Sequence, residues 1–209
     1  MRGVHVPPPT GLREAKKAET RRRLTASARS LAAVLGLDGV TVDAVCADAG
    51  VSLRTFFNYF DSKESAVLGE EPPLGTPSAR EAFLTGGPTG DLLADLVTLL
   101  DPSDALEQEG RDGLRAALEL AEREPRLLAA HLARQVAREQ ELAVLVAQRR
   151  GLADADRSCR AAAAVAHTVV RSACHEWFDA HDAAPLGDHL DRARADVAAA
   201  LSTAPDVRR

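Results

Sequence analysis

The chain has 209 residues, of which 45% are hydrophobic and 3% aromatic, and its formal net charge is −5 at pH 7. This length supports one large or two small domains with a substantial core, and the abundance of alanine and leucine predicts an all-α fold. No apolar run reaches the roughly 18 residues that a membrane-spanning helix needs, and the N-terminus has no apolar signal region. We therefore expect a cytoplasmic protein without a membrane partner.

The charge is distributed unevenly along the chain. Residues 1–68 carry a balance of +3 and residues 69–209 a balance of −8. The acidic total by itself argues against a nucleic-acid partner. The positive balance, however, falls on the N-terminal part, where a candidate nucleic-acid-binding motif lies.

The first predicted elements are a disordered arm over residues 1–11, rich in proline, and a helix that begins at about Leu12. Basic side chains crowd the first turns of this helix: Arg13, Lys16, Lys17, Arg21, Arg22 and Arg23. Such a run is either a solvated helix face or a set of phosphate contacts, and beside a nucleic-acid-binding motif we expect contacts from some of it. Further along, apolar residues repeat as a buried stripe that ends at Leu35, and Gly36–Gly39 closes the helix.

Between Thr41 and Lys63 the sequence predicts two short helices joined by a tight turn. Thr41 is a good N-cap, because its hydroxyl can accept a hydrogen bond from an amide of the first turn. Apolar residues then recur at helical spacing as far as Gly50, which accepts the left-handed backbone that ends a helix, and Ser52 can cap the next one. Two helices joined by such a turn cross steeply, as in a helix-turn-helix.

The second of these helices has an inward and an outward side. Val51, Phe56 and Phe60 can point into a small core. The outward side can enter a major groove and carries Ser52, Leu53, Arg54, Thr55, Phe57, Asn58 and Tyr59. Arginine suits guanine edges, asparagine pairs with adenine, and hydroxyl groups suit phosphates or bases. The expected DNA-binding set also includes Arg21, Arg22, Thr41 and Lys63, the last as a phosphate contact.

The segment TVDAVCADAGVSLRTFFNYFDSKESAVL resembles the N-terminal DNA-binding domain of the TetR family of bacterial transcription regulators. The order of its features is the family's: a threonine that opens the second helix, an Ala-Gly-Val turn, an aromatic-rich end of the reading helix, then Ser-Lys-Glu. Many members carry tyrosine where this chain has Phe57, so we expect only a van der Waals contact there. The variant RTFFNYF also resembles a subgroup of mycofactocin-system regulators and of regulators that sense acyl-CoA-like ligands.

The remainder of the chain is predicted to be a linker followed by a larger helical domain. A fourth helix from Glu64 to about Glu70 would link the domains, and prolines and glycines mark residues 69–90 as a boundary with a short helix around 78–84. Five helices follow, over about 91–100, 105–122, 125–150, 154–182 and 186–202. The expected domains are therefore 12–68 for DNA binding and 91–204 for ligand binding and dimerisation.

The resemblance implies a homodimer in which the last two helices pair with their copies as a four-helix bundle. It also implies a pocket for a small-molecule effector in the larger domain. Candidate lining or head-group contacts are Arg115, His131, Arg134, Arg138, His167, Arg171 and Trp177. Ordinary surface ion pairs and core packing explain the same residues. A metal site at His167, Cys174 and His175 lacks the spacing of zinc ligands, so we expect no metal.

No catalytic motif is present, since the sequence has no nucleophile elbow, phosphate loop, Cys-x-x-Cys or His-Glu-x-x-His. We therefore expect no cofactor and no enzymatic activity. The predicted function is a ligand-responsive DNA-binding regulator, a repressor released from a palindromic operator by a small molecule. The alternatives are a ligand-independent DNA-binding or interaction module, an activator, and an all-α ligand carrier or enzyme.

Overall fold

The structure, a computed structural model, describes residues 10–71, 73–103, 110–180 and 184–202. Every regular element in these ranges is a helix, which confirms the predicted all-α fold. We number them in chain order: α1 Thr10–Gly39, α2 Val42–Ala49, α3 Leu53–Phe57, α4 Lys63–Leu68, α5 Pro77–Leu84, α6 Leu92–Leu100, α7 Arg111–Arg123, α8 Pro125–Arg149, α9 Arg157–Asp179 and α10 Leu186–Ser202. None of these helices combines the length and the apolar character that crossing a bilayer requires.

The chain forms two compact units. Described residues up to Glu71, together with Gly113–Leu132, form the first unit, and the other described residues form the second. The prolines and glycines of the sequence mark the end of the first unit near residue 70. They give no sign that Gly113–Leu132 joins it, because that segment lies within two continuous helical patterns.

Several predicted boundaries shift. The first helix begins at Thr10, and residues 1–9 of the predicted arm lie outside the described residues. The helix predicted over 105–122 is described from Arg111, directly after Gly110, whose φ is +76°. Residues 104–109, which the same prediction included, also lie outside the described part of the chain.

The first unit has a small core of aliphatic and aromatic side chains. Leu24 of α1, Phe56 of α3, Val67 of α4 and Leu127 of α8 are fully buried in it. Their burial removes apolar surface from water, which stabilises each short helix more than its own backbone hydrogen bonds do.

The buried face of α1 ends at Ala32, one member of the apolar repeat before the predicted Leu35. Leu35 was expected to be buried but is 53% exposed, so that expectation was wrong. The reason is Gly36, where φ is +69° and the chain leaves helical geometry. Beyond this bend Leu37 and Val40 occupy the core in its place.

The fourth helix is shorter than predicted. It begins at Lys63 and ends at Leu68, and Gly69 follows with φ of +83°. Ser62 caps its start, since the Ser62 side chain accepts a hydrogen bond from the Ser65 amide at 3.0 Å and the Ser65 hydroxyl accepts one from the Ser62 amide at 3.1 Å. The helix therefore ends two residues before the predicted Glu70, and its role as a link between the domains stays a prediction.

The core of the second unit lies between α6, α8, α9 and α10. Leu96, Leu142, Val146 and Val169 are fully buried there. The penultimate helix α9 contributes several small buried residues, Ala163, Ala166 and Ala173. Their lack of bulk allows the neighbouring helices to approach closely, as the alanine-rich sequence predicted.

An ion pair lies inside this core. The Asp95 carboxylate is 0% exposed and accepts a hydrogen bond from Arg149 at 2.7 Å. It also accepts hydrogen bonds from the Thr89 amide at 2.8 Å and the Thr89 hydroxyl at 2.6 Å. Arg149 donates further to the Gly86 carbonyl at 3.0 Å and lies 4.7 Å from the Phe83 ring centroid. The loop between α5 and α6 is thus fastened to the end of α8.

Burial alone raises the pKa of the Asp95 carboxyl, but hydrogen bonds from Thr89 and Arg149 and the charge of Arg149 together hold the pKa below its ordinary value. A carboxyl with a lowered folded-state pKa stabilises the fold above its ordinary pKa of about 4. That stabilisation is lost as the pH falls through the folded-state value.

We predict that Asp95→Asn lowers the free energy of unfolding at pH 7 by about 3 kcal/mol, because it leaves Arg149 buried without its counter-charge. The measurement is urea unfolding followed by the fluorescence of Trp177, the one tryptophan of the chain. The free energies of unfolding of wild type and variant should converge as the pH falls below about 4, because the wild-type Asp95 carboxyl then becomes protonated and loses its charge. Asp154→Asn, at an exposed carboxylate, is the control. Equal losses in the two variants would contradict the prediction.

Candidate nucleic-acid interface

The helix-turn-helix forms as its local sequence predicted. The Thr41 hydroxyl accepts a hydrogen bond from the Ala44 amide at 3.1 Å, and Gly50 ends α2 with a left-handed φ of +63°. The Val51 amide donates to the Cys46 carbonyl at 3.0 Å, which closes the turn. These bonds satisfy backbone groups that the helix ends would otherwise leave unpaired.

The reading helix α3 has five residues and a side-chain cap. The Ser52 hydroxyl accepts a hydrogen bond from the Thr55 amide at 3.1 Å and lies 2.8 Å from the Thr55 hydroxyl. Both hydroxyls, which we expected to contact DNA, therefore already stabilise the start of α3. Ser52 is exposed and Thr55 is half-buried.

The inward side of α3 is the one that the sequence predicted. Phe56 is fully buried, Phe60 is 6% exposed, and half-buried Val51 packs against the same core. The Phe56 ring also meets the edge of the Phe57 ring, with 5.3 Å between the centroids and 82° between the planes.

The outward side of α3 is open to solvent. Leu53 is 45% exposed and Phe57 is 58% exposed, and Arg54 and Asn58 are exposed beside them. Neither Arg54 nor Asn58 has a side-chain hydrogen bond to any residue that the structure describes. The groups expected to contact base edges are therefore available for a ligand, and their contact with DNA stays a prediction.

Two arginines of α1 belong to the expected DNA-binding set. Arg21 is paired with Glu70, and its guanidinium lies 5.5 Å from the ring centroid of half-buried Tyr59. Arg22 pairs with Glu19 at 2.5 Å, and both side chains are about half exposed. Exposed pairs of this kind contribute little to stability, so the guanidinium groups can exchange their carboxylate partners for phosphates at low cost.

Lys63 has a structural role that the sequence did not indicate. Its ammonium donates to the Leu37 carbonyl at 2.7 Å and to the Val40 carbonyl at 2.9 Å. These two bonds hold the start of α4 against the turn between α1 and α2. An ammonium has three donors, so one N–H is left for the predicted phosphate contact.

The residues expected to contact an effector are spread over the two units. Arg115 and His131 belong to the first unit, where exposed Arg115 pairs with Glu119 at 3.0 Å. The others belong to the second unit, where His167 lies 3.1 Å from Glu139 and Arg171 is exposed. Half-buried Arg134 and Arg138 already interact with other residues of the protein.

Trp177 packs within the second unit. Arg111 donates to the Trp177 and Ala180 carbonyls, and its guanidinium lies 4.5 Å from the indole centroid. The indole N–H donates to the Ala184 carbonyl at 3.1 Å. These contacts join the start of α7 to the end of α9, so Trp177 has a packing role, the alternative that the sequence analysis had set beside a ligand contact.

The second unit has an open groove of about 400 Å³, and its lining includes none of the residues that we expected to contact an effector. Leucines of α6 and small residues of α9 line it, together with one acidic residue: Leu92, Leu93, Leu96, Ala161, Ala162, Val165 and Asp91. The volume is within the range of small-molecule sites, and the lining is mainly apolar. No local signal marks the groove, because it depends on how α6 crosses α9.

Two families of known sequences match the chain. Residues 24–67 match the family described as bacterial regulatory proteins, tetR family, and residues 94–202 match the family described as the MftR C-terminal domain. The chain is also similar to the HTH-type transcriptional regulator TcmR of Streptomyces glaucescens. The identity is 34% over 176 residues, which cover 80% of this chain and 77% of that protein.

We predict that Arg54→Ala weakens DNA binding and relaxes the preference for one base pair in each half-site, since a bidentate arginine–guanine contact contributes about 1–3 kcal/mol of discrimination. Arg22→Ala should instead weaken binding to all sequences alike and reduce its salt dependence. The measurement is affinity for duplexes selected from a random pool, at several salt concentrations. Arg157→Ala, at an exposed position at the start of α9 in the second unit, is the control. An unchanged base preference in Arg54→Ala would refute the assignment.

Proposed function

The chain belongs to the TetR family of bacterial transcription regulators, and on this premise we propose that it is a repressor released from a palindromic operator by a small molecule. The resemblance seen between Thr41 and Leu68 is confirmed, and so is the likeness to mycofactocin-system regulators, through the match to the MftR C-terminal domain; an acyl-CoA-like effector is part of the proposal. Family membership makes the chain a regulator with a helix-turn-helix DNA-binding domain and not an enzyme. The observation that carries the finer proposal is an exposed reading face in the first unit and a ligand-sized groove in the second.

Dimerisation through α9 and α10 is supported by the residues that these helices expose. Thr168 and Ser172 on α9, and Ala195 and Ala199 on α10, are exposed and small, at the spacing of one helix face. Small side chains on two neighbouring helices suit close packing against the same helices of a second copy. The two helix-turn-helix domains of such a dimer (its reading heads), held about 34 Å apart, would then match the two half-sites of a palindrome, and their contacts with DNA would add.

We predict that the wild-type protein has twice the 22.2 kDa mass of the chain in solution. Ala195→Arg should shift it towards the monomer and weaken operator binding at least about 100-fold, because the two heads are then no longer linked. Light scattering after gel filtration measures the mass. Ala137→Arg, at an exposed alanine of α8, is the matched control and should stay dimeric. A dimeric Ala195→Arg protein would place the interface elsewhere.

The effector proposal is supported by the chemistry of the groove. Its lining is almost wholly apolar, which suits an acyl chain or another hydrophobic body. Asp91, the acidic residue of its lining, accepts a hydrogen bond from the Ala94 amide at 2.7 Å and caps α6. An anionic head group would be attracted by cations instead, for which Arg134, Arg138 and Arg171 of the second unit remain the candidates.

Release follows from a difference in affinity between two states of the dimer. A ligand that binds the groove more tightly when the reading heads are wrongly spaced for adjacent half-sites lowers operator affinity by the same factor. By reciprocity, operator DNA must weaken ligand binding equally. A repressor of this kind acts on chromosomal DNA in the cytoplasm, and deletion of its gene should raise transcription from the promoter that it occupies.

We predict that palmitoyl-CoA releases the protein from its selected duplex, with free coenzyme A as the control. Ala161→Phe should raise the palmitoyl-CoA concentration needed for release about 10-fold or more, because the ring occupies the groove, while leaving DNA affinity unchanged. Ala153→Phe, at an exposed alanine outside the groove, should behave as wild type. If palmitoyl-CoA does not affect DNA binding, the acyl-CoA class is wrong and the DNA-binding regulator stands. An unaltered response in Ala161→Phe would exclude the groove.

A further inference from the structure

We infer that Leu53 and Phe57 form an apolar pair that reads thymine methyl groups in the operator, beside the polar pair formed by Arg54 and Asn58. The inference deepens the proposed function and rests on it. It assigns the operator a chemical feature, thymine 5-methyl groups at defined positions of each half-site, that hydrogen-bonding residues alone would not require.

The first observation is the exposure of two large apolar side chains on a helix of five residues. Leu53 is 45% exposed and Phe57 is 58% exposed, whereas Phe56 between them is fully buried. The separation of four positions puts Leu53 and Phe57 on one side of α3, with Cβ atoms about 5–6 Å apart. Side chains on a helix lean towards its N-terminus, so Phe57 leans towards Leu53.

The second observation is that Phe57 is positioned and not loose. Its ring packs edge to face with Phe56, with 5.3 Å between centroids and an angle of 82° between planes. Because Phe56 is held in the core, the exposed ring has a fixed anchor at its base. A positioned aromatic ring loses little side-chain entropy when it meets a ligand.

The third observation is the arrangement of the neighbouring polar side chains. Arg54 and Asn58 are exposed and also four positions apart, so they form a second row beside the apolar one. An apolar row next to a row of hydrogen-bonding groups matches a surface that presents both kinds of group side by side. The edges of base pairs in the major groove are such a surface, and the thymine methyl is the apolar group that they display.

The size of the patch favours DNA over a protein partner. A stable protein interface buries about 800 Å² on each side, which two side chains surrounded by polar ones do not provide. Phenylalanine has no hydroxyl group to bind a phosphate, so its contribution to DNA affinity must come from apolar contact. Four residues of helix rise about 6 Å, close to two base-pair steps of about 3.4 Å, so the two methyl groups should belong to nearby base pairs.

The experiment starts with duplexes selected by the full-length wild-type protein from a random pool. Each thymine of the selected site is then replaced, in both half-sites, by deoxyuridine, which keeps the base pairing and removes only the methyl group. We expect one or two positions per half-site at which this replacement weakens binding about 4-fold per half-site, the effect of losing one buried methyl contact.

The variants assign these positions to side chains. Phe57→Ala should bind more weakly and become insensitive to deoxyuridine at one position, and Leu53→Ala should do so at the neighbouring position. Arg54→Ala, in the adjacent polar row, should lose affinity but keep the full sensitivity to deoxyuridine. Leu152→Ala, at a leucine of similar exposure outside the reading head, should match wild type in both respects. Circular dichroism confirms that each variant is folded.

The possible outcomes distinguish a failure of the proposed function from a failure of the inferred thymine-methyl contact. If no duplex is enriched from the pool, the proposed function itself fails. If duplexes are enriched but tolerate deoxyuridine at every position, or if Phe57→Ala and Leu53→Ala keep wild-type sensitivity, the methyl reading by this pair is overturned and the regulator remains.

Discussion

The burial of Phe56 is the constraint on which the reading surface depends. A helix of five residues has almost no stability of its own, so α3 keeps its orientation through packing and through the Ser52 cap. With Phe56 fully buried, the helical repeat turns Leu53, Arg54 and Phe57 outwards. The burial of this one side chain thus decides which side chains of α3 face a ligand. The edge-to-face contact between Phe56 and Phe57 also limits the orientation of the exposed Phe57 ring.

The turn before α2 is held from two directions within the first unit. Lys63 donates to two of its carbonyls, and the Leu37 amide donates to Glu124 at 3.5 Å. Arg126 also pairs with Asp38 of the same turn at 2.9 Å, but both side chains are largely exposed, so this pair adds little. Charge-assisted hydrogen bonds to backbone atoms fix position more strongly than neutral ones do. The corner between α7 and α8 is therefore part of the support of the helix-turn-helix, and α8 continues from it into the second unit.

The second unit contains both a buried ion pair, which fixes the loop between α5 and α6, and an apolar groove. In the buried pair Asp95 also accepts hydrogen bonds from Thr89, and Arg149 also donates to Gly86. A buried ion pair is tolerated, and fixes one arrangement, when both partners are satisfied in this way. The groove depends on the opposite property, since Ala161 and Ala162 fill too little space between α6 and α9 to close it. A well-fixed loop and an incompletely filled groove in one unit suit the reversible binding of an apolar ligand.

The sequence by itself determined the elements whose causes are local. The Thr41 cap, the left-handed Gly50 and the inward Phe56 follow from short-range chemistry, so the helix-turn-helix and the all-α class were predictable. Only the tertiary structure decided the exposure of Leu35 and the carbonyl partners of Lys63, since each depends on where a distant segment packs. The same holds for the groove between α6 and α9 and for the return of Gly113–Leu132 to the first unit. A periodic pattern shows that a helix has an apolar face, but the element that covers this face is chosen by packing across the whole chain.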